Sequence, residues 1–171
     1  MKFQIGEYIP ILGIGATLIV SVLSLILSLK NTKKTLFINS ITASRIKWMD
    51  TIRGNISEFC GLTHHYSLSN LTDLEKKPII EKIDRLRFLI KLQLNPTDDY
   101  DSRIIAKIES IPNLTDSRKI DELVQELNEL VQLTQNLLKL EWEGAKEESK
   151  HGNLSLKRKS KLKGKYLPHN Q

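Results

Sequence analysis

The sequence has few of the residues that build disulfide-linked, metal-rich or β-sheet proteins. Its 171 residues include one cysteine, five prolines and eight glycines, and aromatic residues make up 6%. A single thiol excludes an intrachain disulfide and a cysteine-rich zinc site, and it fits a reducing compartment. Low glycine and proline together with abundant Leu, Ile, Lys and Glu favour helices. We therefore expect an all-α protein.

The familiar catalytic and nucleotide-binding motifs are also missing. There is no P-loop, no Rossmann glycine pattern, no G-x-S-x-G and no H-E-x-x-H. His64 and His65 lack an acidic or cysteine partner at metal-ligand spacing, which favours a polar loop. Asp98, Asp99 and Asp101 lack the glycine and closing Glu of a calcium loop, which favours charges at a helix N-terminus. We predict no enzyme activity, no cofactor and no metal.

One long apolar segment stands out at the N-terminus. Residues 8–29 contain no charge over 22 positions, and such a helix is about 33 Å long, enough to cross a hydrocarbon core of about 30 Å. A cleaved signal peptide has a shorter apolar region and a small-residue cleavage site, which this segment lacks. A buried core helix is the other alternative, and 22 uncharged residues at the N-terminus disfavour it. We predict a retained transmembrane helix.

The charges flanking this segment predict its orientation. The cations that follow it outnumber those that precede it: Lys30, Lys33, Lys34, Arg45 and Lys47 against Lys2. An excess of Lys and Arg marks the cytoplasmic side. We predict a single-pass protein of the inner or plasma membrane, with residues 1–7 exported and residues 30–150 forming a cytoplasmic domain.

Small polar residues recur within the transmembrane segment. Ser21, Ser24 and Ser28 share one helix face by their spacing of three and four, whereas Gly13 and Gly15 are too close for a G-x-x-x-G motif. The serine face leaves two interpretations open. The favoured one is that a lone tilted helix tolerates these small polar residues, and self-association through the face is the alternative.

Apolar periodicity divides residues 30–150 into four helices. The predicted segments run from about 37 to Cys60, from 71 to 94, from 97 to about 111 and from 115 to about 148. Gly61 is the expected end of the first, and Asn95-Pro96 ends the second. Cys60 falls on the apolar stripe and is expected to pack in the core. We predict that the four helices close as an antiparallel bundle.

The last of these helices carries a heptad pattern. It consists of Ile120, Val124, Leu127, Val131, Thr134 and Leu138, bordered by Leu123, Leu130 and Leu137. Such a seam pairs with another helix, either of this chain or of a second copy, as in a coiled coil. Residues 144–150 are fully polar, so we expect this end to be solvated.

The net charge of +6 resides entirely in residues 151–171, which contain no acid. The six cations are Lys157, Arg158, Lys159, Lys161, Lys163 and Lys165. The segment has too little apolar content to fold alone, so we predict a disordered basic tail. Three interpretations stay open: contact with anionic lipid, contact with nucleic acid phosphates, and a solvated tail without a ligand.

Residues 44–59 read S-R-I-K-W-M-D-T-I-R-G-N-I-S-E-F. This segment resembles small uncharacterised bacterial single-pass membrane proteins with an S-R-I-x-W-x-x-x-[IL]-R-x-x-[IL]-x-E-F helix after the membrane segment. The resemblance implies no activity, although some membrane proteins of this layout are candidate effectors in phage defence. Trp and Arg suit the membrane interface. Residues expected there are Lys30, Lys33, Lys34, Arg45 and Trp48.

These observations favour a non-enzymatic, membrane-anchored interaction or scaffold protein that acts with copies of itself or with a protein partner. A phage-defence effector that oligomerises in the membrane is one version of this role. The alternative from another class is a membrane-tethered nucleic-acid-binding protein that uses the basic tail.

Overall fold

The computed structural model describes residues 8–115, 117–151 and 154–167, and this part of the chain contains helices and no strand. The chain divides into two compact units, residues 1–41 and 42–171. The α-helices are α1 (Tyr8–Phe37), α2 (Ala43–Leu68), α3 (Asp73–Gln93), α4 (Asp99–Ser110), α5 (Ile120–His151) and α6 (Leu156–Tyr166). A π-helical segment covers Ile38–Thr42, and 3-10 turns cover Ile111–Leu114 and Ser117–Lys119.

The first unit contains the apolar helix α1. Its segment Gly13–Lys33 is long and apolar enough to cross a membrane, and none of it is buried within the structure. A membrane span and a signal sequence share this composition. A core helix of a soluble domain would be covered by other elements, so that alternative does not fit α1. The predicted exported residues 1–7 lie outside the described residues.

Helix α2 continues well past Gly61, where the sequence predicted its end. Thr63, one turn beyond Phe59, is fully buried, and its Oγ1 donates to the Phe59 carbonyl at 2.7 Å. Gly61 is exposed with open space around it. The helix persists because its inner face still packs on the core, and this contact outweighs the low helix propensity of one glycine.

Helices α3 and α4 begin at the capping residues that the sequence predicted. The backbone N–H of Thr72 donates to the Glu75 carboxylate at 2.8 Å, which is half of a capping box. The Asp98 carboxylate accepts from the Tyr100 N–H at 3.1 Å at the start of α4. Each contact satisfies a backbone donor that a helix leaves unpaired at its N-terminus.

Helices α2 to α5 enclose one hydrophobic core. Helix α2 packs on α3 and α5, and α4 packs on α3 and α5. The largest fully buried side chains come from all four helices and the turn after α4: Ile52, Phe59, Leu86, Ile90, Ile104, Ile108, Ile111, Leu123 and Leu130. The second unit therefore has a packed interior of its own.

The buried stripe of α5 is rotated from the predicted heptad seam. Leu123 and Leu130, expected at its border, are fully buried, whereas Val124 and Val131 are 37% and 38% exposed. The buried side of the helix contacts α2, α4 and α6, and a helix surrounded by three partners buries a wider arc than a two-helix seam. Leu127, Thr134 and Leu138 of the predicted seam are buried, so the sequence identified the helix and part of its inner face.

Residues of the predicted disordered tail form helix α6. Leu162 and Tyr166 pack against the core, and Leu167 is buried. Leu154, just before the helix, is buried as well. Disorder was expected from the composition of residues 151–171 alone. Helix α6 is stabilised by contacts with α5, which local composition does not reveal.

Truncation of Phe59 tests whether α2 is held by this core. The change Phe59→Ala is expected to lower the free energy of unfolding by about 3–5 kcal/mol, because the ring is fully buried. Leu92→Ala is the control, because Leu92 is 84% exposed and should change stability by no more than about 0.5 kcal/mol. Thermal unfolding in detergent, followed by circular dichroism, measures both, and equal losses would contradict the assigned core.

Candidate functional site

Five charged residues from four helices of the second unit line one cleft. The cleft has a volume of about 360 Å³. Its polar lining comes from α2, the end of α3 and the turn after it, α4, α5 and α6: Arg45, Trp48, Gln93, Asn95, Asp98, Asp101, Glu141 and Lys163. Helix α6 therefore borders a polar interior in addition to its packing on α5.

Arg45 forms the central ion pairs of this cleft. Its Nη1 lies 2.7 Å from Glu148 Oε2, and its Nε lies 3.2 Å from Glu141 Oε2. The two acids are seven residues apart, so they lie on one face of α5 two turns from each other. The Glu148 side chain is only 3% exposed. Arg45 thus joins the start of α2 to the C-terminal half of α5.

A glycine of α5 adjoins this contact. A Cβ atom at Gly144 would lie 3.5 Å from Arg45 Nη1, which is ordinary van der Waals contact. A longer side chain would occupy the space through which the guanidinium reaches Glu148. Gly144, Ala145 and Glu148 are buried, so the expectation that residues 144–150 are solvated is wrong for this face of the helix.

Trp48 connects α2 to the end of α3. Its indole Nε1 donates to the Gln93 carbonyl at 3.0 Å, and the Asn55 amide donates to the Gln93 side-chain oxygen at 3.2 Å. A carbonyl at the last residue of a helix has no partner within that helix. Trp48 supplies this partner from a neighbouring helix.

The predicted membrane-interface residues are divided between the two units. The ion pairs of Arg45 and the hydrogen bond of Trp48 are made within the second unit, so these side chains are engaged in the cleft instead of being free for head groups. Lys30 and Lys33 lie exposed on α1 in the first unit. The side chain of Lys34 lies outside the described residues.

The carboxylates of the cleft ionise unequally. The pKa of Glu141 is raised, chiefly because the carboxyl group is buried. The charge of Arg45 lowers this pKa, whereas the charges of Asp101 and Glu148 raise it further. Burial also raises the pKa of Asp101, although the Asn95 N–H opposes it. For Asp98, burial acts most strongly and upward, but hydrogen bonds from Lys163 and the Tyr100 N–H lower its pKa overall. Around Glu141, the negative charge of the carboxylates therefore exceeds the positive charge that neutralises it.

The six cations of α6 divide into two groups. Lys163 pairs with Asp98, Lys165 lies 5.0 Å from the centre of the Tyr166 ring, and the charge of Lys159 acts on Glu141. Lys157, Arg158 and Lys161 are exposed, and within the described residues no ion pair engages them. Among the described residues, the second group shows none of these contacts.

Cys60 and the histidine pair take part in no reactive arrangement. Burial raises the pKa of the Cys60 thiol to about 11, so it stays protonated at neutral pH and is a poor nucleophile. His64 and His65 lie on α2 and not in the predicted loop, and His65 Nδ1 hydrogen-bonds Ser69 at 3.1 Å. Among the described residues, no grouping of three or more His, Cys, Asp or Glu is suited to a metal ion.

A second polar cleft, of about 500 Å³, lies between α4 and α5. Lys107 is its best-connected group and contacts Glu126 at 2.8 Å and Glu129 at 2.6 Å. The Arg103 guanidinium lies 5.3 Å from the centre of the Tyr100 ring. No sequence motif indicates this cluster, because Lys107 is separated from Glu126 and Glu129 by 19 and 22 residues and a turn.

No family model matches the sequence, and neither curated proteins nor solved structures show a significant match to it.

Removal of the Arg45 charge tests the central ion pairs. We expect Arg45→Met to lower the free energy of unfolding by about 3–5 kcal/mol, because it leaves the Glu148 carboxylate buried without its partner. The double change Arg45→Met with Glu148→Met should recover most of this loss. Arg53→Met removes an exposed pair with Asp50 and should cost less than about 1 kcal/mol. Equal losses for Arg45→Met and Arg53→Met in urea denaturation would contradict this assignment.

The dependence of stability on pH tests whether the negative charge of Glu141 is incompletely neutralised. Because the folded pKa of Glu141 is raised, its ionisation destabilises the fold; this cost is absent below the ordinary Glu pKa and complete above the raised one. Glu141→Gln is therefore expected to stabilise the protein at pH 7, with the gain disappearing as the pH falls to the ordinary carboxyl range. The neighbouring Glu143 has a lowered pKa, chiefly through hydrogen bonds from Lys146 and Lys139, so Glu143→Gln should instead reduce stability at pH 7. Denaturation midpoints at pH 7 and pH 4 compare the two, and effects of the same sign would refute the prediction.

Proposed function

We propose that this chain is a non-enzymatic, single-pass membrane protein whose cytoplasmic helical domain serves as an interaction or scaffold module. In this proposal α1 is a retained membrane anchor with its N-terminus outside, and α2–α5 form a four-helix antiparallel bundle extended by α6. The single observation that carries the proposal is that no residue of the apolar segment Gly13–Lys33 is buried within the structure.

The magnitude of that exposure supports an apolar environment for α1. Ten large apolar side chains between Ile14 and Leu29 are 44–65% exposed. Removing the exposed area of these ten side chains from water would contribute a free energy on the order of 10 kcal/mol in total. This free energy is comparable to the net stability of a whole domain, about 5–15 kcal/mol. The hydrocarbon core of a bilayer would bury these side chains, which the described part of the chain leaves exposed.

The state of the charged groups supports a role without catalysis. Arg45 is held by two carboxylates, and Lys163 is held by Asp98. A catalytic acid, base or nucleophile needs a free reactive atom within reach of a substrate. In the central cleft these cations instead connect helices, which suits a rigid binding scaffold.

A polar stripe along α1 supports association between copies. Thr17, Ser21, Ser24, Ser28, Asn31 and Thr35 follow one another at spacings of four, three, four, three and four. The Ser21 hydroxyl donates to the Thr17 carbonyl at 2.8 Å, so it needs no external partner in lipid. Small residues at heptad spacing let two membrane helices approach closely. A phage-defence effector that oligomerises in the membrane is a version of this role that the resemblance of residues 44–59 permits.

A membrane-tethered nucleic-acid-binding protein is the second candidate function. The exposed cations Lys157, Arg158 and Lys161 favour it, since phosphate neutralisation supplies non-specific affinity. This candidate and the first share the anchor and differ in the ligand of α6.

Disulfide crosslinking in native membranes tests the anchor and its association together. In a Cys60→Ser background, Ser24→Cys is expected to give crosslinked dimers after oxidation, because residue 24 lies in the polar stripe. The matched control is Ile26→Cys, which lies on the opposite face of α1 and should crosslink at least several-fold less. Membranes are washed with alkaline carbonate before oxidation, and mass spectrometry checks that the chain retains residues 1–29.

Two results would contradict the proposal. Release of the protein by carbonate, or loss of residues 1–29, would show that α1 is not a retained anchor. Monomers at both positions, or equal crosslinking at both, would remove the association through the stripe.

A further inference from the structure

We propose that α6 is a preformed lipid-binding helix whose exposed cations Lys157, Arg158 and Lys161 contact the phosphates of an anionic bilayer surface. The inference rests on the proposed membrane anchor and goes beyond it by assigning a partner to one surface of the helical domain. It also gives the remaining cations of the helix a different role.

The inner side of α6 is fixed to the domain. Leu162 and Tyr166 pack against the core, and Leu167 is buried behind them. Lys163 pairs with the Asp98 carboxylate of α4. These contacts hold the helix in one orientation without help from Lys157, Arg158 or Lys161.

The free cations share one side of the helix. At about 100° per residue, positions 157, 158 and 161 fall within an arc of about 100°. All three side chains are exposed, and in the described part of the chain they take part in no ion pair. The result is a compact cationic surface on a helix whose opposite side is already occupied.

A docked helix binds a charged surface at lower cost than a disordered tail. The backbone of Leu156–Tyr166 is already helical, so binding does not have to order it. Each Lys or Arg near an anionic membrane contributes about 1 kcal/mol, or about fivefold in the binding constant. Three such residues together correspond to roughly a hundredfold.

The surroundings of these cations favour lipid over nucleic acid. Tyr166 is the only aromatic residue in α6, and it packs against the core, so it offers no exposed ring for base stacking. Residues 1–150 are charge-balanced, so the rest of the chain adds no net positive charge to this surface, whereas nucleic-acid-binding domains are commonly basic overall. The second unit begins at Thr42, close in sequence to the end of the apolar span at Lys33. A bilayer is therefore the anionic surface at highest local concentration.

An environment-sensitive fluorophore on α6 tests the proposal in the full chain. Cys60→Ser with Gly164→Cys provides one label site, and a side chain at Gly164 meets no atom within 4 Å. The labelled protein is reconstituted in vesicles of phosphatidylcholine alone, or of phosphatidylcholine with about one-third phosphatidylglycerol. We expect a blue-shifted, brighter emission only in the anionic vesicles, and we expect it to reverse at high salt.

Two triple variants separate this cationic surface from net charge. Lys157→Gln, Arg158→Gln and Lys161→Gln together should reduce the ratio of bound to unbound α6 roughly a hundredfold and abolish the shift. Lys77→Gln, Arg85→Gln and Lys119→Gln remove the same charges from exposed positions elsewhere in the second unit and should keep it. Both variants should unfold at the same temperature as the parent protein.

Vesicle flotation, read beside the emission, distinguishes failure of this proposal from failure of the anchor. Protein that floats with the vesicles but gives no lipid-dependent shift would overturn the assignment of α6 alone. A shift caused by single-stranded DNA on phosphatidylcholine vesicles, without one in anionic vesicles, would replace lipid by nucleic acid. Protein that does not float would overturn the anchor and this inference with it.

Discussion

The polar cleft of the second unit depends on the ion pairs of Arg45, above all on the pair with the buried Glu148. They join the first turn of α2 to the last third of α5, across a cleft that Trp48 and Asp101 also line. A cavity of about 190 Å³ beneath α6 contains the same Arg45, Glu141 and Glu148. One cation faces two acids there, so part of the negative charge is left over. Helix α6 brings Lys159 and Lys163 to this region, and its docking is therefore electrostatic as well as apolar.

This arrangement gives α6 two chemically different sides. The side that faces the domain satisfies acids that burial makes costly to ionise. The other side carries cations that the domain itself does not neutralise. Displacement of α6 would uncover Glu141 and break the contact between Lys163 and Asp98.

Local signals predicted much of the helical framework. The uncharged run in α1, the acidic cap at Asp98 and the Asn95-Pro96 stop each act within a few residues, and the corresponding helices occur where expected. The end of α2 was missed because Gly61 is a local signal for termination, whereas buried Thr63 depends on neighbouring helices. Helix α6 was missed for the same reason, because its composition alone favours disorder and its stabilising partners lie on α5.

The candidate site was much less predictable than the helices. Arg45 and Glu148 are more than one hundred residues apart in sequence, and no periodicity connects them. A cation after an apolar helix is typical of a membrane interface, which is why Arg45 and Trp48 were expected there. Their actual partners follow from which face of α5 is turned inward, and the heptad pattern defined that face only in part. Long-range pairing of this kind requires the fold itself.

Gly144 shows how the ion pairs constrain the history of this sequence. Glycine inside a helix is less favourable than alanine by about 1 kcal/mol, so drift alone would tend to replace it. The Arg45 guanidinium lies within van der Waals distance of the point that a methyl group would occupy at this position, so alanine fits and a longer side chain would meet the arginine. In proteins that descend from the same ancestor and retain both Arg45 and Glu148, position 144 should therefore vary only between the two smallest residues, and a larger residue there should be accompanied by loss of the arginine.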